Sequence, residues 1–146
     1  MENEKTSEPV EVKQVKPKLL NPVKSTRMLD GFKEHQARNS ATPGIDYPVA
    51  YGHPIVAAHK GKVTIADKSP DGSGGRVIEI KAGPYHTYYM HLSIVLVKEG
   101  DNVEAGQLIG KAGGSGFGVD KHYGTHLHFA LRFDGDLVDP LPHILK

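Results

Sequence analysis

Nowhere do these 146 residues offer a run of ten with an apolar repeat near 3.6, and that absence constrains the fold more than any other feature. Period-two alternation stands in its place. Arg76-Val77-Ile78-Glu79-Ile80 alternates polar and apolar side chains, which in an extended chain puts the two kinds on opposite faces. Ile55–Ala58 and Lys62–Ala66 read as short strands about a turn at Lys60-Gly61, and Thr87–Leu92 reads as another. Between Val97 and Gly110 the pattern is strand, turn at Gly100-Asp101, a short extended step, Gly106 and a second strand. A glycine-rich loop from Gly113 to Gly118 leads to Gly124-Thr125, and Leu127–Phe133 is a strand closed by Asp134-Gly135. Seventeen glycines and ten prolines supply the many turns that such a chain needs. The expected fold is all-β.

The first part of the chain reads differently. Residues 1–24 are rich in Lys, Glu, Val and Pro, and Pro9, Pro17 and Pro22 would break any helix. This predicts a flexible N-terminal arm over 1–24 and a single domain over 25–146. Lys33–Ala41 is polar and reads as a loop leading into Pro43-Gly44-Ile45-Asp46-Tyr47, where the ordered body begins.

Charge and composition exclude several functions. A formal net charge of +1, with no basic run interleaved with aromatics, argues against a nucleic-acid partner. The lack of cysteine excludes disulfides, thiolate zinc sites and thiol nucleophiles, so any metal must be held by imidazole and carboxylate, and nine histidines are present. No stretch is apolar enough to span a membrane, and Met1-Glu2-Asn3-Glu4-Lys5 does not open a secretory signal as written. If the target lies outside the cytoplasm, the expectation is delivery by lysis, within a virion, or as a processed fragment. No apolar heptad or stripe marks an interface, so a monomer is predicted.

Three local patterns can carry chemistry. His126-Leu127-His128-Phe129 places two imidazoles on one strand face, roughly 6.5 Å apart along the chain, with Phe129 turned to the core. Thr87, Tyr89 and His91 fall on one face by the same count, which puts Tyr89 beside His91 as a candidate substrate contact. Gly44-Ile45-Asp46-Tyr47 sets a carboxylate just after a turn.

Taken together, the order and spacing of these three patterns resemble the lysostaphin-type (LytM-like) endopeptidases of peptidoglycan, over about Pro43 to Pro140. The stretch Val97-Lys98-Glu99-Gly100-Asp101-Asn102-Val103, then Gly106-Gln107 and Ile109-Gly110, adds to the likeness, as do Gly113 with Ser115-Gly116 and Val138-Asp139-Pro140. The resemblance implies an antiparallel, sandwich-like sheet with a loop-bordered groove, and one Zn2+ held by His, Asp and His on its floor. It implies that Asp46 and His128 are metal ligands and that His91 and His126 are the catalytic histidines beside them. It further implies a peptidoglycan peptide as the substrate. Catalytic zinc keeps an open coordination position and lowers the pKa of water there to about 7.

One position departs from the pattern. The family's first ligand is a histidine four residues before the aspartate, and here that residue is Thr42. A threonine hydroxyl would have to deprotonate to bind zinc, and two remaining ligands make a weak site. Three resolutions stand open. His35, seven residues upstream, can act as a surrogate ligand, with Arg38 of the same segment available to a substrate carbonyl or carboxylate. The domain can instead be a metal-free module that binds peptidoglycan or regulates another wall enzyme. Or the metal can be held by a rearranged set drawing on His91 or His126. His53, His59, His86 and His143 read as exposed histidines at turns and strand ends, and His122 as a surface residue.

Overall fold

The computed structural model describes residues 16–25, 28 and 30–145. Nine strands form one antiparallel sheet, as the alternation requires. In chain order they are β1 (Ile45–Tyr47), β2 (Pro54–Val56), β3 (Gly61–Asp67), β4 (Arg76–Ala82) and β5 (Tyr85–Val95), then β6 (Asn102–Val103), β7 (Leu108–Ala112), β8 (Leu127–Phe133) and β9 (Asp136–Val138). The main path runs β9-β8-β5-β4-β3-β6; β1 adds to β8, and β7 bridges β2 and β5. The only helices among the described residues are α1 (Phe32–Ala37) and a 3-10 turn at Leu141–His143.

The pairing register sorts side chains onto two faces. Ile45 faces Phe129, Tyr89 faces Phe129 and Ile78, and Thr87 faces Ile80 and Leu131, all of them buried on the core side. The alternate residues form the open side, where Asp46 faces His128 and Met90 faces His128. A buried chain of hydrogen bonds crosses the core side. His59 Nδ1 donates to the Lys60 carbonyl (2.9 Å), so its Nε2 accepts from the Thr87 hydroxyl (2.7 Å). Thr87 Oγ1 lies 2.8 Å from the Tyr89 hydroxyl, which also accepts the Ala58 N–H at 2.9 Å.

This arrangement corrects two expectations. Tyr89 is fully buried and does not contact the groove; its ring packs on Phe129 and its hydroxyl is consumed inside the core. His59 is buried at 3% exposure rather than exposed, because Thr87 and the Lys60 carbonyl satisfy both of its nitrogens.

Two corrections concern the N-terminal side. Residues 1–15 of the predicted arm lie outside the described residues. Lys16–Ser25, however, belongs to the folded body. Leu19 is fully buried and bridges Ile144, Leu20 N–H donates to the Ala58 carbonyl, and the Pro22 carbonyl accepts Val56 N–H. Three lysines and two prolines interrupt that stretch, but Pro17, Leu19, Pro22 and Val23 are buried and cover the core's edge. The segment expected as a loop from Lys33 contains α1, whose first turn is closed by Glu34 accepting the Gly31 N–H at 2.9 Å. Six residues are too few to register as a periodic pattern.

Candidate metal centre

The centre is built first by register. β1 and β8 run antiparallel with Asp46 directly opposite His128, and Asp46 Oδ1 lies 2.7 Å from His128 Nδ1. His126 precedes β8 by one residue, bridges Gly113, and points Nε2 at the same oxygen from 3.8 Å. Helix α1 supplies the third side. His35 is 4% exposed, its Nε2 lies 3.2 Å from Asp46 Oδ2, and its ring stands edge-on to His128 at 4.7 Å.

His91 arrives by a broken rule. On β5 three steps from Tyr89 to Leu92 face two steps from Ile78 to Arg76, so the strand bulges. His91 sits in the bulge with φ +66, a left-handed conformation. The turn rolls His91 off the face shared by Thr87 and Tyr89, so that it and Met90 both line the cleft. The His91 N–H donates to the Gly74 carbonyl at 2.7 Å and Nδ1 donates to the Ser115 carbonyl at 2.9 Å. That carbonyl can approach only because residue 75 is glycine: a Cβ there would lie 2.1 Å from Ser115 O, and φ is +68.

All four histidines are oriented in one way. His35 Nδ1 is held by the Gly31 carbonyl (2.8 Å), and His128 Nε2 by the Thr42 carbonyl (2.7 Å). His91 Nδ1 is held by the Ser115 carbonyl (2.9 Å), and His126 Nδ1 by the Gly124 carbonyl (2.6 Å). A carbonyl only accepts, so each of these nitrogens carries a proton. The other nitrogen of each ring then faces the cleft. For His35 and His128 it meets an Asp46 oxygen, and an ionised carboxylate also only accepts. Each contact therefore needs a second proton on the ring or a cation shared between ring and carboxylate.

The donor set fits such a cation. The ligand atoms of His35, Asp46 and His128 lie within 4.8 Å of one another. Tetrahedral zinc with bonds of about 2.0–2.2 Å spaces its donors roughly 3.3 Å apart; the His35 contact with Asp46 Oδ2 is 3.2 Å, and the His128 contact with Oδ1, at 2.7 Å, is tighter. Two nitrogens, one oxygen and an open side are the ligands of a catalytic rather than a structural zinc. The backbone carbonyls behind the histidines are the outer partners that fix ligand tautomers in such sites.

Electrostatics separates the two kinds of group. Burial pushes the Asp46 carboxyl up, but the His128 hydrogen bond and the charges of His128, His126 and His35 outweigh it and hold the group below the usual range. Burial pushes His91 down to about 4 against the opposing Ser115 carbonyl, so at neutral pH this imidazole is uncharged. Its free nitrogen is an acceptor.

Of the residues singled out from sequence, His35, Asp46, His91, His126 and His128 line one cleft of about 630 Å³. Arg38 stands on its wall with its guanidinium 2.7 Å from the Asp30 carboxylate. His122 is exposed and packs on Phe117 and Tyr123. Sequence reasoning missed Tyr123, whose ring lies 4.5 Å from His91 and whose hydroxyl donates to the Ser73 carbonyl at 2.9 Å. It also missed the Thr42 carbonyl. Main-chain groups leave no mark on the residue pattern, and Tyr123 sits in a loop without periodicity.

The peptidase family M23 model matches residues 40–140. Lysostaphin from Staphylococcus simulans is 39% identical over 106 residues, 69% of this chain and 21% of that protein. The murein hydrolase activator NlpD of Escherichia coli is 32% identical over 108 residues, 74% of this chain and 27% of that protein. This chain thus spans between about a fifth and a third of the curated relatives it matches. Among solved structures, a zinc-containing peptidase from Vibrio cholerae superposes with a TM-score of 0.68 at 29% identity, covering 84% of this chain and 39% of that one.

Proposed function

We propose that this chain, which belongs to peptidase family M23, is a zinc-dependent endopeptidase domain that hydrolyses peptide bonds of peptidoglycan, with His35 standing in for the ligand absent at Thr42. One observation carries the reading: His35 and His128 each spend one nitrogen on a backbone carbonyl and aim the other at the same carboxylate. Each of these contacts calls for a second ring proton or a shared cation, and the donor set of His35, Asp46 and His128 suits zinc. The name of NlpD, a murein hydrolase activator, supports the choice of wall material.

His35, Asp46 and His128 would hold the zinc. Bound there, it would supply Lewis acidity toward a water and a substrate carbonyl. The remaining chemistry belongs to this chain's own groups. His91, neutral and held by Ser115, accepts the proton that the attacking water must lose. His126 stands on the Asp46 side of the cleft, and with a second proton on Nε2 it would donate to the oxygen where negative charge develops. Tyr123 packs on His91 and fixes one face of its ring. Arg38 keeps one guanidinium nitrogen on Asp30 and presents the rest of the group to the substrate main chain.

Thr42 favours a second reading, a domain without hydrolysis that binds murein or regulates another wall enzyme. Elemental analysis of the parent, His35→Ala and His128→Ala chains separates the two. About one zinc per chain in the parent, lost in both variants, is the expected result. Zinc retained by His35→Ala would remove His35 from the ligand set. A parent that takes up no supplied zinc would establish the second reading.

A further inference from the structure

The open face of the sheet continues beyond the metal centre. From Asp46, His128 and Met90 one step along the strands leads to Ala130, Tyr88 and Glu79, and the next to a row that crosses five strands. In that row Arg132 pairs with His86, His86 with Lys81, Lys81 with Lys62, and Lys62 with Asn102. Residues directly opposite in an antiparallel sheet project from the same face, so these basic groups stand side by side.

The row is not explained by the fold. Like charges directly opposite each other destabilise a sheet. Edge protection by lysine does not apply to Lys81 or His86, whose strands β4 and β5 are interior. Nor does the chain as a whole carry an excess of charge, since its formal net charge is +1. Among the described residues no carboxylate pairs with Lys62, Lys81 or Arg132. Glu79, in the neighbouring row, is already engaged by Thr64 Oγ1 (2.9 Å), His86 Nδ1 (2.6 Å) and Tyr88. Arg132 is pre-set by donating to the Tyr88 hydroxyl at 3.2 Å and the Gly135 carbonyl at 3.0 Å. Lys62 and Lys81 are exposed.

We propose that this row is a carboxylate-binding subsite for the peptide substrate. It rests on the peptidase reading above and adds a substrate requirement. Arg132 and His128 are four residues apart on β8, roughly 13 Å at about 3.3 Å per residue. An extended peptide lying along the open face with its scissile bond at His128 therefore brings an acidic group about four residues away onto the row. Between the two points the half-buried Tyr88 reaches the surface, while its partner Ala130 is covered.

The probes are a synthetic murein stem tetrapeptide with free carboxylates and the same peptide with every carboxylate amidated. Binding to the full chain is followed by the backbone amide shifts of Lys81, His86 and Arg132, beside the double variant Lys62→Gln/Lys81→Gln. The acidic peptide is expected to shift these amides, and to bind on the order of ten-fold more weakly after either amidation or the double substitution, with added salt eroding the difference. The double variant is expected to unfold at equal or higher urea, because it removes a like-charge pair; a merely structural pair would move stability the other way. Equal binding of the two peptides, or of the two chains, would overturn the subsite. So would tighter binding of polyglycerol phosphate than of the peptide, which would reassign the row to a phosphodiester. If the chain binds as expected but never cleaves, the subsite stands and the peptidase reading falls. If it cleaves acidic and amidated peptides alike, only the subsite falls.

Discussion

The two faces of this sheet are made by the same strands and obey opposite rules. On the core side Ile45, Tyr47, Phe129, Leu131, Ile78 and Ile80 belong to one apolar layer, and the polar groups of His59, Thr87 and Tyr89 enter it bonded to one another and to main chain. On the open side the intervening residues read Asp46, His128, Met90, Tyr88, Glu79 and Arg132. The alternation that builds the core leaves every second residue outside that apolar layer, and the chemistry occupies some of those positions. The exception is informative. His91 belongs by count to the core side and reaches the cleft only through a bulge and a left-handed backbone, held by the Gly74 and Ser115 carbonyls. A group needed where the pleat does not deliver it is brought there by strain that neighbouring main chain stabilises.

The contrast between the faces is sharpest in a pair of substitutions on β8 and β1, Phe129 on the core side and Asp46, which stands opposite His128, on the open side. Phe129→Ala deletes a fully buried ring and should cost about 3–5 kcal/mol of unfolding free energy while a folded fraction still binds zinc. Asp46→Asn should do the reverse. It takes away the carboxylate shared by His35 and His128, so zinc is lost and wall-peptide hydrolysis falls by on the order of a thousand-fold or more, while the urea midpoint of the metal-free chain falls by much less than for Phe129→Ala. Urea unfolding and zinc analysis of both variants would break the comparison if each moved the same quantity.

His91 stands between the two regimes, and pH exposes it. Its folded value is lowered to about 4, so between the ordinary 6.5 and 4 the unfolded chain takes up a proton that the folded chain refuses. Stability due to the neutral ring is thus complete above pH 6.5 and is lost as the pH falls. The loss approaches about 3 kcal/mol near pH 4 as an upper figure. Unfolding free energies of the metal-free parent should fall more steeply across this window than those of His91→Gln. Parallel slopes would show that burial does not hold this ring neutral.

How far the sequence could be read follows the same division. The strands from Ile55 to Phe133 are legible because alternation and glycine turns are local signals; alternation gives His126 and His128 a shared face, whereas the grouping of Asp46 with them is implied only by the family resemblance. Tyr89 is misread for a related reason: counting by twos from Thr87 to His91 runs across a bulge that no residue type announces. Leu19 and Val23 are hidden by the lysines and prolines around them, although burial depends on where a side chain lands rather than on the average polarity of its segment. His35 could be proposed only by elimination, since α1 is too short to show a period and its placement depends on Asp30, Gly31 and Arg38 together.

That dependence separates the strand-borne ligands from the helix-borne one. Asp46 and His128 are fixed by a register that the whole sheet enforces. His35 is fixed by a short excursion whose two attachments both pass through Asp30: its carbonyl accepts the Asp46 N–H at 2.9 Å, and its carboxylate meets Arg38 at 2.7 Å across the end of α1. The ion pair is partly exposed, so water and salt screen most of its strength, and Asp30→Asn should leave the urea midpoint within about 0.5 kcal/mol. The substitution keeps the carbonyl and removes only the clasp on the helix. Zinc affinity should then drop a few-fold, about what an exposed pair is worth, and the difference from the parent should vanish at high salt. His128→Ala should lose zinc at any ionic strength. A zinc affinity that Asp30→Asn leaves untouched at low salt would mean that α1 holds His35 by packing on His128 alone, and that helix and strand ligands are equally rigid.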